Sequence, residues 1–156
     1  MKRTNGKSHC PINFGLEAFG DPWSLLVVRD IVYFGKRTFK DFLDSEEAIA
    51  PSVLAARLAH LDANDILDRN PDPTDGRRVV YSLTETGRAL IPILLEIANW
   101  SARVDPGTDA PPEWIAAVNH DKAAMTDLII NTVRAGGSIF VGPDSVIASL
   151  ATSSGK

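Results

Sequence analysis

Arg77 and Arg78 close a dense run of turn residues, Asn70-Pro-Asp-Pro-Thr-Asp-Gly76. Two guanidinium groups at the end of a tight turn can neutralise phosphates or enter a minor groove. Just before that turn, Ser52, Val53, Ala56 and His60 recur at helical spacing. A serine hydroxyl can donate to or accept from a base edge, and Val and Ala can contact a thymine methyl. His60 suits a phosphate contact or a plain surface position better than base reading. The chemistry these residues offer is recognition of a duplex rather than bond making. A solvated hairpin end and an alanine-rich surface helix are the bland alternatives. The direct succession of the two segments favours the DNA reading.

Lys36, Arg37 and Lys40 form a second basic cluster. Arg57 leaves two readings open, a phosphate contact or a brace to a carboxylate such as Asp30 or Asp62. Cys10 precedes a proline at a helix start, where the helix N-terminus together with Lys7 and His9 would lower a thiol pKa. It is a redox-sensing candidate, with a half-buried small apolar residue as the alternative. His9, Cys10, His60 and His120 lack metal-ligand spacing. Asp44, Glu46 and Glu47 read as a solvated turn, and no nucleophile is paired with a base. Gly136-Gly137 lacks the context of a phosphate loop. No enzyme, cofactor or metal is expected.

The chain has 156 residues, one cysteine and a formal net charge of −4. That length fits one domain, or one small domain with an extension. The single cysteine excludes an intramolecular disulfide and fits a reducing cytoplasm. No apolar run approaches a membrane span, and the basic start lacks the apolar stretch of a signal peptide. A negative balance argues against an indiscriminate nucleic-acid binder. The charge is uneven: beyond Val104 there are three basic and six acidic residues, against 13 and 14 before it.

The elements that position these residues follow from spacing and caps. Pro11 to Phe19 forms a short helix stopped by Gly20. Asp21 and Pro22 open another, with Trp23, Leu26, Val27 and Ile31 inward. Thr38 caps a short helix from Phe39 to Leu43. A helix begins at Pro51, buries Leu54, Leu58 and Leu61, and ends at Asn64-Asp65. Strands around Ile66 to Arg69 and Val79 to Leu83 flank the turn. Thr84 caps a long helix to Val104, apolar on two sides and kinked at Pro92. A second apolar side predicts a partner, most simply a second copy of the chain. The stretch from Asp105 to Pro112 reads as a linker. A helix from Glu113 to Ala135, a short strand from Ser138 to Val141 and a last helical turn or two from Pro143 to Leu150 follow.

Several ordered motifs carry a family resemblance. They are Cys10-Pro11, Gly20-Asp-Pro-Trp-Ser-Leu-Leu26 with Arg29-Asp30, Arg37-Thr-Phe-Lys-Asp-Phe42, Ile49-Ala-Pro-Ser-Val-Leu-Ala-Ala-Arg-Leu58 and Tyr81-Ser-Leu-Thr-Glu-Thr-Gly-Arg-Ala-Leu90. Over its first two-thirds the chain resembles the HxlR family of bacterial winged-helix regulators. The resemblance implies a homodimer on an inverted-repeat operator, with the Pro51 helix in the major groove and Asp75 to Arg78 as the wing. It implies that the first helix and the helix after Thr84 form the dimer interface, and that a cysteine at the place of Cys10 senses oxidants in some members. Asp65 stands where relatives usually have Gly, and the Pro51 helix carries no basic residue beyond Arg57.

The expectation is a mainly α fold with a small β-hairpin wing, a winged helix-turn-helix dimerising through terminal helices. Residues 1–104 would be the DNA-binding domain with its dimer helices, and 105–156 a mostly helical extension. The expected function is a cytoplasmic homodimeric regulator of transcription, a repressor, binding double-stranded DNA and answering an oxidant or small-molecule effector. The alternative is a winged-helix module that binds a protein through the acidic tail.

Overall fold

A computed structural model describes residues 8–153. The elements in order are α1 (Pro11–Phe19), α2 (Ser24–Phe34), α3 (Phe39–Leu43), α4 (Pro51–Ala63), β1 (Leu67–Pro71), β2 (Val79–Leu83), α5 (Glu85–Arg88), α6 (Ile91–Val104), α7 (Pro112–His120), α8 (Lys122–Arg134) and α9 (Val146–Ser153). The helix α2 is the centre of the core. Its Val28, Ile31 and Val32 are fully buried, so its apolar surface runs wider than one stripe. Against it lie Phe42 of α3 and the Leu54, Leu58 and Leu61 seam of α4. A buried leucine of this kind contributes roughly 2–5 kcal/mol relative to alanine.

Local chemistry sets the ends of these elements. Asp21 Oδ1 accepts from the Trp23 and Ser24 amides at 3.0 and 3.1 Å, satisfying donors at the start of α2. Thr38 and Asp41 form a reciprocal capping box on α3. Asp65 has φ 56°, left-handed backbone that Asp tolerates and that Gly would adopt without strain. Asn64, the C-cap before it, has φ −96°. The hairpin is antiparallel and runs in register from Leu67 opposite Leu83 to Pro71 opposite Val79. Thr38 forms an isolated bridge to Val80, and the Tyr81 amide donates to the Arg37 carbonyl at 2.7 Å. The segment before α3 therefore extends the hairpin by a short third edge.

Four expected elements differ. The helix after Thr84 is two helices: α5 ends at Arg88, and α6 restarts at Ile91 with Pro92 in its first turn. Proline there begins a helix rather than kinking one, because its missing N–H falls among donors that have no helical partner. The tail helix is also two, broken at Asp121, whose side chain accepts from the Ala124 amide and caps α8. Ser138 to Val141 is not a strand. Its Ile139 and Phe140 amides donate to the Val32 and Tyr33 carbonyls at 2.8 and 3.0 Å, where α2 runs out of its own donors. The last helix, α9, begins three residues later than expected, at Val146.

The extension shares the hydrophobic core. Trp114, Val118, Met125, Ile129, Val133, Ile139 and Val146 belong to the same buried cluster as α2 and α6. Ion pairs from Arg134 to Glu85 at 3.2 Å and from Lys122 to Glu96 at 2.5 Å reach from α8 to α5 and α6.

Candidate nucleic-acid interface

The helix α4 turns one face inward through Leu54, Leu58 and Leu61 and leaves Ser52, Ala55, Ala56 and Ala59 exposed. Over its first two turns this outer strip is small and uncharged, with Asp62 exposed near its end, so a groove floor can approach the backbone closely there. Ala55 belongs to it and was missed; its spacing of four from Ala59 carries the signal. Val53 is half-buried and packs against the core. His60 faces α1, with Nε2 2.9 Å from the Ala18 carbonyl oxygen. These two sit on the flanks of the strip rather than along it.

Arg57 also leaves the outer face. Its Nη1 lies 3.2 Å from Asp21 Oδ2. The carboxylate it meets is Asp21, not Asp30 or Asp62. Asp21 is held below the usual carboxylate range. Burial opposes this, and hydrogen bonds from Ser24, the Trp23 and Ser24 amides and Arg57 outweigh it.

The wing arginines are exposed. The Arg77 side chain is 94% exposed and that of Arg78 70%, and both stand over Asp75 at 3.3 and 3.7 Å. Asp75 also accepts from the Arg77 amide, and its carbonyl takes the Arg78 amide. The turn is thus pinned while the guanidinium groups remain open to water. Asp72 pins the other arm through Thr74. Lys40 is exposed on α3 and lines a concave surface with Thr38, Phe39, Asp41, Arg78, Val79 and Tyr81.

The other two expected cations are engaged. Lys36 Nζ lies 3.1 Å from Asp30 Oδ2 and 2.6 Å from Ser45 Oγ. Arg37 donates to the Gly136 and Gly137 carbonyls at 3.3 and 3.2 Å and to Ile31 at 3.4 Å. Its guanidinium thereby satisfies a carbonyl near the end of α2 and fastens the double glycine of the extension. Asp30, 3% exposed, is the buried hub of the other group and also accepts from Arg29 at 2.6 Å. Arg29 forks onward to Glu47, whose carboxyl it holds at about 2. Glu47 is therefore not a freely solvated turn residue. It ties the segment before α4 to α2.

Cys10 is exposed at the N-cap of α1. Its expected neighbour Lys7 lies outside the described residues. The helix α1 also exposes Ile12 and Leu16, 71% and 60%. On α6, Ile93, Ile97, Trp100 and Val104 form an exposed apolar row.

The order α2, α3, α4, hairpin and α5 matches the architecture of a helix-turn-helix with a wing, and the sequence model of the HxlR-like helix-turn-helix family matches residues 18–107. The chain belongs to that family. Among HxlR-like proteins, YodB of Bacillus subtilis, an HTH-type transcriptional regulator, is 30% identical over 104 residues, 65% of this chain and 92% of YodB. YybR of the same organism, an uncharacterised HTH-type transcriptional regulator, is 33% identical over 94 residues, 60% of this chain and 74% of YybR. The structure of PA1607 superposes with a TM-score of 0.60 at 34% identity, covering 67% of this chain and 73% of that one. The redox regulator HypR in its oxidised form gives 0.55 at 28%, covering 62% and 98%. The fold is the winged helix of these regulators. The family match stops before α7, so α7, α8 and α9 lie outside it.

Proposed function

We propose that this protein is a sequence-specific DNA-binding regulator of transcription, acting as a homodimeric repressor on an inverted-repeat operator. The observation that carries the reading is the bare strip of Ser52, Ala55, Ala56 and Ala59 beside a wing whose two arginines are open to solvent. A helix with such a strip fits the major groove, while the wing supplies phosphate charge. Ser52 and Ala56 are the base-facing pair, Arg77, Arg78 and Lys40 the phosphate contacts. Lys36, Arg37 and Arg57 position the interface from behind through their partners.

The apolar rows on α1 and α6 support pairing with a second copy, which would bury them. Two copies related by a two-fold axis would address half-sites one or two helical turns apart. Exposed Cys10, beside the α1 row, is read as the point of oxidant response. HypR, with its oxidised form, offers the parallel. Among the described residues no helix is long and apolar enough to cross a membrane. The reading places the protein with DNA in the cytoplasm.

Fluorescence anisotropy with duplex DNA from upstream of the protein's own gene, at two salt concentrations, tests this. Saturable, salt-sensitive binding that outcompetes random DNA supports the reading, and its loss after mild oxidation assigns the response to Cys10. A folded dimer that binds no DNA at low salt refutes it in favour of a protein-binding module.

A further inference from the structure

Arg37 stands where three parts of the fold meet. Its guanidinium donates to the Gly136 and Gly137 carbonyls of the extension at 3.3 and 3.2 Å, and to the Ile31 and Lys36 carbonyls at 3.4 Å. Its own carbonyl accepts the Tyr81 amide of β2 at 2.7 Å. Its amide donates to Asp41 Oδ2, the carboxylate of the α3 capping box, at 3.1 Å. One residue thus ties together the extension, the wing and α3.

The side chain is committed to backbone. Its acceptors among the described residues are the carbonyls of two separate segments. A planar guanidinium with five N–H donors can span them, whereas an ammonium offers its three donors at one point. Burial lowers the Arg37 pKa, as for a cation drawn away from water. A phosphate could take this guanidinium only by stripping it from those carbonyls.

Both ends of the tie are anchored. In the extension, Ser138 and Ile139 are buried, and the Ile139 and Phe140 amides are bonded to the end of α2. A β-carbon on Gly137 would stand 2.8 Å from Thr132 Cγ2 and 3.0 Å from the Asp144 carbonyl oxygen, so this glycine sits in a close-fitting seat. In the wing, Thr38 bridges Val80 and the Tyr81 amide is held, three residues from Arg78. A shift of the glycine carbonyls is passed through Arg37 to the strand that carries the wing arginines.

We propose that Arg37 is a positioning residue through which the α7–α9 extension sets the wing, and with it the way Arg77 and Arg78 meet phosphates. The consequence for DNA rests on the regulator reading, while the tie itself rests on these contacts.

DNA anisotropy and amide exchange by NMR on the full chain test this with Arg37→Met and Arg37→Lys. Arg37→Met weakens DNA binding about fivefold and speeds Tyr81 amide exchange at least about tenfold, while the Leu58 and Leu61 amides of α4 keep the wild-type rate. Arg37→Lys keeps the charge and restores neither property. When Arg77 and Arg78 are already alanine, Arg37→Met costs less than about twofold more, because its effect runs through the wing. If Arg37→Met fails to fold, Gly136→Ala must give the same pattern. Its β-carbon meets open space, but φ 91° strains it, so the carbonyl seat moves from the extension side. Wild-type DNA affinity in Arg37→Lys makes the residue a phosphate contact and overturns the proposal. So do an unchanged Tyr81 exchange rate, exchange raised equally in α4, and a loss on DNA as large without the wing arginines as with them. DNA binding insensitive to Arg37→Met overturns it too and leaves the regulator reading standing. Wild-type protein that binds no DNA refutes that reading instead, and Tyr81 exchange then decides the tie alone.

Discussion

Arg57 of α4 pairs at 3.2 Å with Asp21, the residue that caps α2. The start of the central core helix and the middle of α4 are therefore joined by an ion pair. Arg57→Ala breaks it. Both side chains are about a quarter to a third exposed, so the expected loss is at most about 1 kcal/mol. On the proposed reading Arg57 braces α4 and leaves the phosphates to the wing, so the salt slope of DNA binding stays at the wild-type value. Thermal melting and anisotropy at several salt concentrations check the two halves of this prediction.

The wing behaves differently. Arg77 and Arg78 are open to water and lie beyond the turn pinned by Asp75. Replacing both with alanine lowers affinity on all sequences alike and reduces the log-log salt slope by about two charges. Stability is unchanged, since neither side chain packs. A slope equal to wild type would remove the wing from the interface.

Glu47 gives the fold an acid-sensitive joint. Its carboxyl, ordinarily near 4.5, is held at about 2, chiefly by the hydrogen bond from Arg29. A depressed folded-state value contributes stability that is full above the ordinary value and lost as pH falls toward the folded one. Wild-type protein accordingly loses stability between about pH 4.5 and 2 in part through this group. Glu47→Gln is less stable than wild type at neutral pH, and the gap closes across that window. Melting curves from pH 6 downward read it directly, and a pH-independent gap would contradict the assignment.

Gly87 sits where α5 meets the end of the helix-to-strand turn. A β-carbon there would stand 2.1 Å from the Ile66 carbonyl oxygen. Backbone must move to admit it. Gly87→Ala is expected to cost about 3 kcal/mol, seen as a melting temperature lower by about 6–12 °C. A melting temperature within a degree or two of wild type would show that the α5 junction is slack.

The apolar row on α6 predicts assembly. Ile93→Glu combined with Trp100→Glu places charge on the exposed row without touching the buried Leu94 and Leu95. Sedimentation should give a dimer for wild type and a monomer for the double variant, with DNA affinity at least about tenfold weaker from loss of the second half-site. A dimer surviving both changes would locate the interface elsewhere.

Much of this was legible in the chain because it depends on local pattern. The leucine spacing in Pro51 to Leu61, the turn residues from Asn70 to Gly76 and the Thr38 cap each declare themselves within a few residues. The misplacements came from partners far away in sequence. His60 and Val53 share a helical wheel with Ala56, but the turn of α4 toward α1 and the core decides which of them faces out. Arg37 looks like a surface cation until the carbonyls of Gly136 and Gly137 appear beside it. Glu47 looks solvated until Arg29 reaches it across 18 positions. The breaks at Asp121 and after Arg88 were hidden because the apolar periodicity continues across both while the backbone turns.

The central claim is that the α4 strip reads sequence. Selecting tight binders from a pool of random duplexes tests it most directly. The account predicts enrichment of an inverted repeat with half-sites one or two helical turns apart, and a changed half-site consensus for Ser52→Ala or Ala56→Ser. A pool that binds but shows no enrichment, with the same weak preference in every α4 variant, would contradict it.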